Sequence, residues 1–266
     1  MKKVYLNLPF QSCFSIQTES EQLIERLSMK YGTYASCKPE KKIDFFLTVK
    51  KFGNESQIIT PNDEYMTSNP LSEIDRYVFD NNFYTPNIFA LHGAAVEWQK
   101  KCHLFLAPTT SGKTTLTAFL TRLGFGYITD DCILLDRSNF CVHPFTTPIQ
   151  LREGGIDVLT KHNAVPEKLQ RLDESPAQKR FVYTPNNCVD HPIPLQNIFF
   201  IQLSNCENKL VEMPSAERMI QIMKSPITNY PITRNYLGFI ALLSRVNCSK
   251  LIYSDMNFVK EVIQSG

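Results

Sequence analysis

The sequence lacks the features that mark secreted, membrane and cysteine-metal proteins. None of the eight cysteines lies in a CxxC pair, so they indicate reduced thiols, neither a disulfide framework nor a zinc site. No apolar run reaches the length of a transmembrane helix. Asn7 and Pro9 interrupt the apolar stretch at the N-terminus, which predicts a first strand and not a secretion signal. We therefore expect a cytoplasmic protein with no membrane partner.

Charge and histidine spacing argue against two further classes. The formal net charge is +2, with 28 basic and 26 acidic side chains, so no nucleic-acid partner is expected. The five histidines show no HxxxH spacing of a zinc enzyme. The chain has no internal repeat, and its 43% hydrophobic content over 266 residues is enough to bury a sizeable core.

Residues 1–88 predict a small N-terminal α/β region. Apolar residues at helical spacing indicate a helix over residues 19–31, and IDFFLTVK predicts a strand at residues 43–50. The polar stretch 53–70 indicates loops and edge strands. Ser72 is expected to cap a second helix.

Residues 89–266 predict a second domain in which helices flank a sheet. Strands alternate with helices along this part of the chain, which is typical of an α/β fold. Gly124 is expected to end the helix before it in a left-handed conformation. The expected strands are 89–98, 103–106, 132–135, 198–203 and 250–253, and the expected helices are 113–123, 215–223, 236–246 and 257–263.

A candidate phosphate-binding loop lies between a strand and a helix. Residues 107–114 read APTTSGKT and match GxxxxGK[ST] except at Ala107, which replaces the first glycine. Alanine would cost about 1–2 kcal/mol if that position had to be left-handed. The alternative is an ordinary strand-to-helix turn. The residues expected to surround the phosphates are Thr109, Thr110, Ser111, Gly112, Lys113, Thr114 and Thr115.

Two adjacent carboxylates, Asp130 and Asp131, follow the helix after the loop. Phosphoryl transfer needs one carboxylate near Mg²⁺ and another that accepts the proton of the attacking hydroxyl. The alternative is a solvated turn, where Asp is common.

The order of these features resembles the catalytic domain of HPr kinase/phosphorylase and its shorter relatives. A His92-Gly93 pair, Glu97 five residues after the histidine, the loop and the Asp pair follow in the family's order. Residues 149–156, IQLREGGI, are similar to the family's E-[IV]-R-G-x-G motif. Arg152 and Gly155 match that motif, whereas Gln150 stands where the family has glutamate.

The resemblance implies an α/β fold of the P-loop (HPr kinase/PEP carboxykinase-like) type, with ATP and Mg²⁺ as cofactors. Lys113 would bind the β and γ phosphates and Thr114 would hold Mg²⁺, supported by Asp131 and, more weakly, by Gln150. Asp130 would be the general base, although the two Asp roles can be exchanged. His92 would be a catalytic residue near the phosphates or the metal; the alternative is a hydrogen-bonded structural histidine.

Three basic residues extend the implied nucleotide site. Arg152 would contact the nucleotide, and Lys179 and Arg180 would reach the transferred phosphate or form an exposed turn. Arginine is suited to phosphate because its planar guanidinium donates two parallel hydrogen bonds.

The implied activity is an ATP-dependent kinase that phosphorylates a serine of a peptide or small protein, such as a ribosomally made peptide precursor. Short HPr-kinase-like serine kinases, including those that tailor lasso peptides, are the relatives concerned. The alternatives are a kinase of free serine, a nucleotide-binding regulator without transfer activity, and an NTPase that drives movement. Whether several copies assemble is left open.

Overall fold

The computed structural model describes residues 1–83, 85–175, 178–227 and 231–266. The chain divides into two compact units, Met1–Tyr84 and Thr85–Gly266. Both units combine helices with sheets, which confirms the expected mixed α/β class. Within the described ranges, no helix is both long and apolar enough to cross a bilayer.

The first unit consists of one six-stranded sheet and two helices. The strand order is β3-β1-β2-β4-β5-β6, and only β2 and β4 run parallel. The core-facing sides of the helices carry buried Leu23, Leu27 and Tyr31 on α1 and buried Leu71, Ile74 and Val78 on α2. The elements are β1 (Lys2–Asn7), β2 (Cys13–Thr18), α1 (Glu21–Tyr31), β3 (Ala35–Ser36), β4 (Phe45–Phe52), β5 (Glu55–Ile59), β6 (Glu64–Thr67) and α2 (Pro70–Asn82).

Side-chain caps fix where both helices begin. Ser20 accepts a hydrogen bond from Leu23 N and starts α1. Asn69 caps α2 by accepting from Ser72 N, so the expectation that Ser72 is the cap is wrong. Pro70 at the first helical position explains the earlier start, because its fixed φ suits a helix and its missing N–H is not needed there.

The second unit contains the mixed sheet expected from the sequence, with helices against it. Its elements are β7 (Ile88–His92), β8 (Ala94–Trp98), β9 (Lys101–Leu106), α3 (Lys113–Arg122), β10 (Gly126–Thr129), β11 (Cys132–Asp136), β12 (Cys141–His143), β13 (Ile149–Arg152), α4 (Glu153–Lys161), β14 (Gln170–Ser175), β15 (Gln178–Tyr183), β16 (Ile193–Leu203), β17 (Lys209–Glu212), α5 (Ser215–Met223), α6 (Arg234–Leu243), β18 (Asn247–Tyr253) and α7 (Met256–Ser265).

The directions of the strands bring four carboxyl ends to one edge of the sheet. β9 and β10 both run antiparallel to β8, so they run parallel to each other. β16 lies parallel to β9 on its other side, and β18 lies parallel to β16. Ligands of α/β proteins commonly bind outside the carboxyl ends of such strands. The loop after β9 and the aspartates after β10 therefore lie at the same edge.

The predicted strand over residues 89–98 is in fact two strands separated at Gly93. A Cβ at Gly93 would lie 2.7 Å from Ile133 Cδ1, 2.7 Å from Leu106 Cδ2 and 2.8 Å from the Phe105 carbonyl oxygen. Any larger residue would have to displace the strand that leads into the loop. The chain thus turns from β7 to β8 where only glycine fits.

A three-stranded sheet, β13-β15-β14, and helix α4 were not predicted. β13 has only four residues, and most residues of the β14–β15 hairpin are polar, so neither produces a clear hydrophobic period. Ile149 and Leu151 are buried in the same core as Leu116 of α3. This small sheet is therefore anchored against the helix that follows the loop.

A buried polar ladder crosses the main sheet near the amino ends of its parallel strands. The Asn197 amide nitrogen lies 3.0 Å from His103 Nδ1 and donates to it, and Asn247 donates to the Asn197 side-chain oxygen over 2.6 Å. Burial lowers the pKa of His103 to about 4. The neutral ring is therefore part of the folded structure.

Replacing Gly93 with alanine should destabilise the second unit by about 1–3 kcal/mol, because the added methyl overpacks a site bounded by backbone. Urea unfolding followed by the fluorescence of Trp98, the sole tryptophan, measures this. Gly238→Ala is the matched control, since no atom lies within 4 Å of its Cβ and it lies in α6. A Gly93→Ala protein as stable as the control would contradict the packing argument.

Acid should weaken the second unit through His103. Its pKa is lower in the folded state than the ordinary 6.5, so the unfolded chain binds the proton more readily. The contribution of neutral His103 to the stability is fully present above pH 6.5. It falls by about 3 kcal/mol in total as the pH decreases from 6.5 to 4. Urea unfolding at pH 7 and 4.5 should show a larger loss in the wild type than in His103→Gln, which accepts a hydrogen bond without titrating. Equal losses would refute this account.

Candidate functional site

The candidate loop connects β9 to α3 and contains two left-handed residues. Thr110 has φ 68° and Gly112 has φ 88°, whereas Ala107 is not among the residues with positive φ. The cost considered for alanine at the first motif position therefore does not arise. The backbone strain falls instead on Thr110, a residue type that rarely adopts this conformation.

Gly112 is required by both its conformation and its surroundings. It precedes α3 as the N-cap residue with a left-handed backbone. A Cβ there would lie 3.2 Å from both Leu203 Cδ1 and the Tyr253 hydroxyl oxygen. These two side chains come from the carboxyl ends of β16 and β18, so the ends of three parallel strands meet at the loop.

Lys113 is buried at the start of α3, and only 6% of its surface is exposed. Its ammonium donates hydrogen bonds to the carbonyls of Ala107 at 2.7 Å and Pro108 at 3.0 Å. Burial lowers the pKa of Lys113, and the nearby Asp130 and Asp131 partly oppose that shift. The ammonium of Lys113 therefore points into the loop, whose carbonyls bind it.

Asp130 lies between β10 and β11 and faces the start of α3. The hydroxyl of Thr114 hydrogen-bonds to the Asp130 carboxylate. In the described part of the chain, Asp130 Oδ1 is shielded from solvent and has no hydrogen-bond partner. Burial raises the pKa of Asp130 well above its ordinary value, and Asp131 adds to this effect. A buried carboxylate oxygen without a donor lacks the partner that a cation would supply.

Asp131 and His92 form a pair beside Asp130. His92 Nδ1 lies 3.2 Å from Asp131 Oδ1, and the two side chains are 37% and 63% exposed. The pairing of β7 with β11 sets this distance, because His92 is opposite Cys132 and Gly93 N donates to the Asp131 carbonyl over 3.3 Å. The structure thus brings together residues that were predicted from the sequence, namely His92, Lys113, Thr114 and the two aspartates.

A segment that the sequence did not reveal runs along the outer edge of β7. His92 N donates to the Ser225 carbonyl over 2.6 Å, and Ile227 N donates to the Ala90 carbonyl over 3.1 Å. Pro226 bridges Leu91 between these bonds. The segment follows α5 and fixes the backbone of His92. Three residues without hydrophobic periodicity give no sequence signal of such pairing.

The second motif lies on β13 and the start of α4. Gly155 packs against α3, since a Cβ there would lie 2.9 Å from the Thr115 hydroxyl oxygen. Gln150 and Arg152 alternate with the buried Ile149 and Leu151, so they face away from that core. In the residues that the structure describes, neither Gln150 nor Arg152 forms a side-chain hydrogen bond with the loop.

Arg152 and Arg180 occupy directly opposite positions on β13 and β15. Two like charges at opposite positions of a sheet disfavour that pairing. Lys179 instead forms an ion pair with Glu153 over 3.0 Å, and both residues are exposed. The roles of the two arginines toward a nucleotide stay predictions.

Glu97 lies outside the site. It accepts a hydrogen bond from Lys100 N at the turn between β8 and β9, where Gln99 and Lys100 both have positive φ. This turn is at the opposite end of β9 from the loop. Glu97 therefore stabilises a hairpin turn away from the loop.

The donor set fits Mg²⁺ bound together with phosphates better than a protein-only metal cage. Across the described ranges, no group of three or more His, Cys, Asp or Glu side chains could hold a metal. Mg²⁺ commonly takes one or two carboxylates and completes its shell with water and phosphate oxygens. The Thr114 hydroxyl and one of the two aspartates supply oxygen ligands of this kind.

Comparison with known proteins adds little to this geometry. No protein-family model matches the chain. No curated protein matches it either. Among solved structures, the HPr(Ser) kinase/phosphatase from Coxiella burnetii is similar at 16% identity, over 66% of this chain and 91% of that chain. The TM-score of 0.31 is too low for this likeness to support an argument. Membership of the HPr kinase family stays a prediction.

Proposed function

We propose that the protein is an ATP-dependent kinase that uses Mg²⁺ and transfers the γ-phosphate to a hydroxyl. The observation that carries this proposal is the buried Lys113 ammonium held inside a strand-to-helix loop, with a carboxylate oxygen without a partner beside it. A cation, the amino end of a helix and two carboxylates at one point match the needs of phosphoryl transfer.

The loop and Lys113 would bind the phosphates. Backbone N–H groups from Thr109 to Thr115 would surround the phosphate oxygens, and the positive end of the α3 dipole favours negative charge there. Lys113 would exchange its bonds to two carbonyls for bonds to the β and γ phosphates. Because the ammonium is already desolvated, it would lose little further hydration when it makes this exchange.

Thr114 and Asp130 would hold the metal ion, whose chemistry is to neutralise charge on the phosphates. The Thr114 hydroxyl, which hydrogen-bonds to Asp130, would share the metal ion with it. A cation at that place would lower the raised pKa of Asp130 and keep its carboxylate ionised. This assignment exchanges the two Asp roles that the family resemblance implies.

Asp131 would then accept the proton of the acceptor hydroxyl. It is the more exposed carboxylate, so an acceptor can reach it. His92 would position Asp131 through the contact between Nδ1 and Oδ1. A base must lie within hydrogen-bond reach of the proton it removes, and an exposed, oriented carboxylate meets that requirement.

We propose a serine in a peptide or small protein as the acceptor. The Asp131 carboxylate is open to solvent, so a large acceptor can reach it. Transfer of label from γ-labelled ATP to serine peptides, to free serine and to water distinguishes the candidates. Label on peptides supports the proposal. Label on free serine alone, phosphate release alone, or binding without any transfer identifies the small-molecule kinase, the NTPase or the regulator.

Removing the Lys113 ammonium should abolish most nucleotide binding. Lys113→Met keeps the apolar stem but loses charge-assisted hydrogen bonds, which predicts affinity for Mg·ATP about 30- to 100-fold weaker. Calorimetric titration measures the affinity. Lys101→Met is the matched control, because Lys101 is an exposed lysine at the other end of β9. Equal binding by the two folded variants would refute a phosphate role for Lys113.

The two aspartates should respond differently to amide substitution. Asp130→Asn should weaken Mg·ATP about 10-fold or more, whereas metal-free ATP should bind as it does to the wild type. Asp131→Asn should leave both affinities within about threefold and instead lower the transfer rate. Titrations with Mg²⁺ and with EDTA separate the two effects. The reverse pattern would assign the metal to Asp131 and the base to Asp130.

A further inference from the structure

An exposed apolar side chain stands directly against the phosphate loop. Leu203 is the last residue of β16, and 52% of its surface is exposed. Its Cδ1 lies 3.2 Å from where a Cβ of Gly112 would be. An isolated exposed leucine needs no explanation. Leu203, however, contacts the loop proposed to bind a nucleotide, and the apolar part of such a ligand could cover it.

The sheet order places Leu203 on the side of the loop away from the carboxylates. Asp130 follows β10, which is separated from β9 by β8 on one side. Leu203 ends β16, the neighbour of β9 on the other side. If metal and γ-phosphate lie toward β10, the rest of the nucleotide has room to extend over the ends of β16 and β18.

Fixed loops hold this side of the site in place. Ser204 N donates to the Tyr253 carbonyl over 2.8 Å, which ties the ends of β16 and β18 together. Asn208 accepts hydrogen bonds from Ser254 N at 2.8 Å and Asp255 N at 3.1 Å. Tyr253 is buried beside Leu203 on the paired strand β18, and its hydroxyl oxygen lies 3.2 Å from where a Cβ of Gly112 would be. Leu203 is therefore an exposed side chain on a backbone that hydrogen bonds hold in place.

We propose that Leu203 is the surface on which the nucleoside part of the bound nucleotide packs. This inference rests on the proposed nucleotide-binding function and adds the contact that favours a nucleotide over a bare polyphosphate. A flat base and ribose cover apolar surface that the triphosphate alone would leave in water. The loop supplies affinity for phosphate, and Leu203 supplies affinity for the nucleoside.

The test compares Mg·ATP with Mg·tripolyphosphate, which has the same chain of phosphates and no nucleoside. Leu203→Ala should weaken Mg·ATP about three- to tenfold and leave Mg·tripolyphosphate within about twofold. Leu203→Phe, which offers a larger flat surface, should bind Mg·ATP at least as tightly as the wild type. Leu242→Ala on α6 is the matched control at 51% exposure and should change neither affinity.

Three outcomes would overturn the proposal in different ways. Unchanged Mg·ATP affinity in Leu203→Ala excludes a nucleoside contact. Equal weakening of both ligands shows that Leu203 only supports the loop through Gly112. Failure of the wild type to bind either ligand, or no effect of Lys113→Met on either, removes the proposed function itself. Tripolyphosphate binding that needs Lys113, without a Leu203 effect on ATP, leaves the proposed function intact.

Discussion

The desolvated ammonium of Lys113 is the interaction on which the site depends. It is held by two loop carbonyls and lies near Asp130 and Asp131, although burial alone would favour its neutral form. A buried charge is stable only when its partners stay in place. The conformations of the loop, of α3 and of the turn after β10 are therefore coupled, because each supplies a partner to the same group.

The sheet makes this coupling possible by placing distant residues at one edge. Four strands that run in one direction end at this edge, and their ends carry the loop, the two aspartates, Leu203 and Tyr253. Gly93 matters for the same reason, since any Cβ there would push on Leu106 and Phe105 at the entrance to the loop. Packing in the core thus controls where the loop and the groups proposed to bind phosphate lie.

The sequence predicted the parts of the structure whose signal is local. The loop, helix α3 and the left-handed Gly124, with φ 95°, follow from a motif, a helical period and a stop residue within a few positions of each other. Local sequence patterns do not predict which distant strands pair with each other. β13 to β15, α4 and the Ser225–Ile227 edge depend on contacts between segments far apart in the chain, and their residues are short or polar runs. Glu97 shows that a matching spacing alone does not place a residue at the loop, because its carboxylate supports a turn at the other end of β9.

The relation between the two aspartates illustrates what geometry adds to a motif. Adjacent in sequence, they point into different surroundings: Asp130 Oδ1 is enclosed beside Thr114, and Asp131 is in solvent beside His92. Two carboxylates that share one environment would compete for a single proton, whereas two environments let one stay with a cation and the other face an incoming hydroxyl. Burial, which the sequence does not specify at that turn, is what separates them. This difference in burial arises at the short turn between β10 and β11, and the proposed division of roles between the two aspartates rests on it.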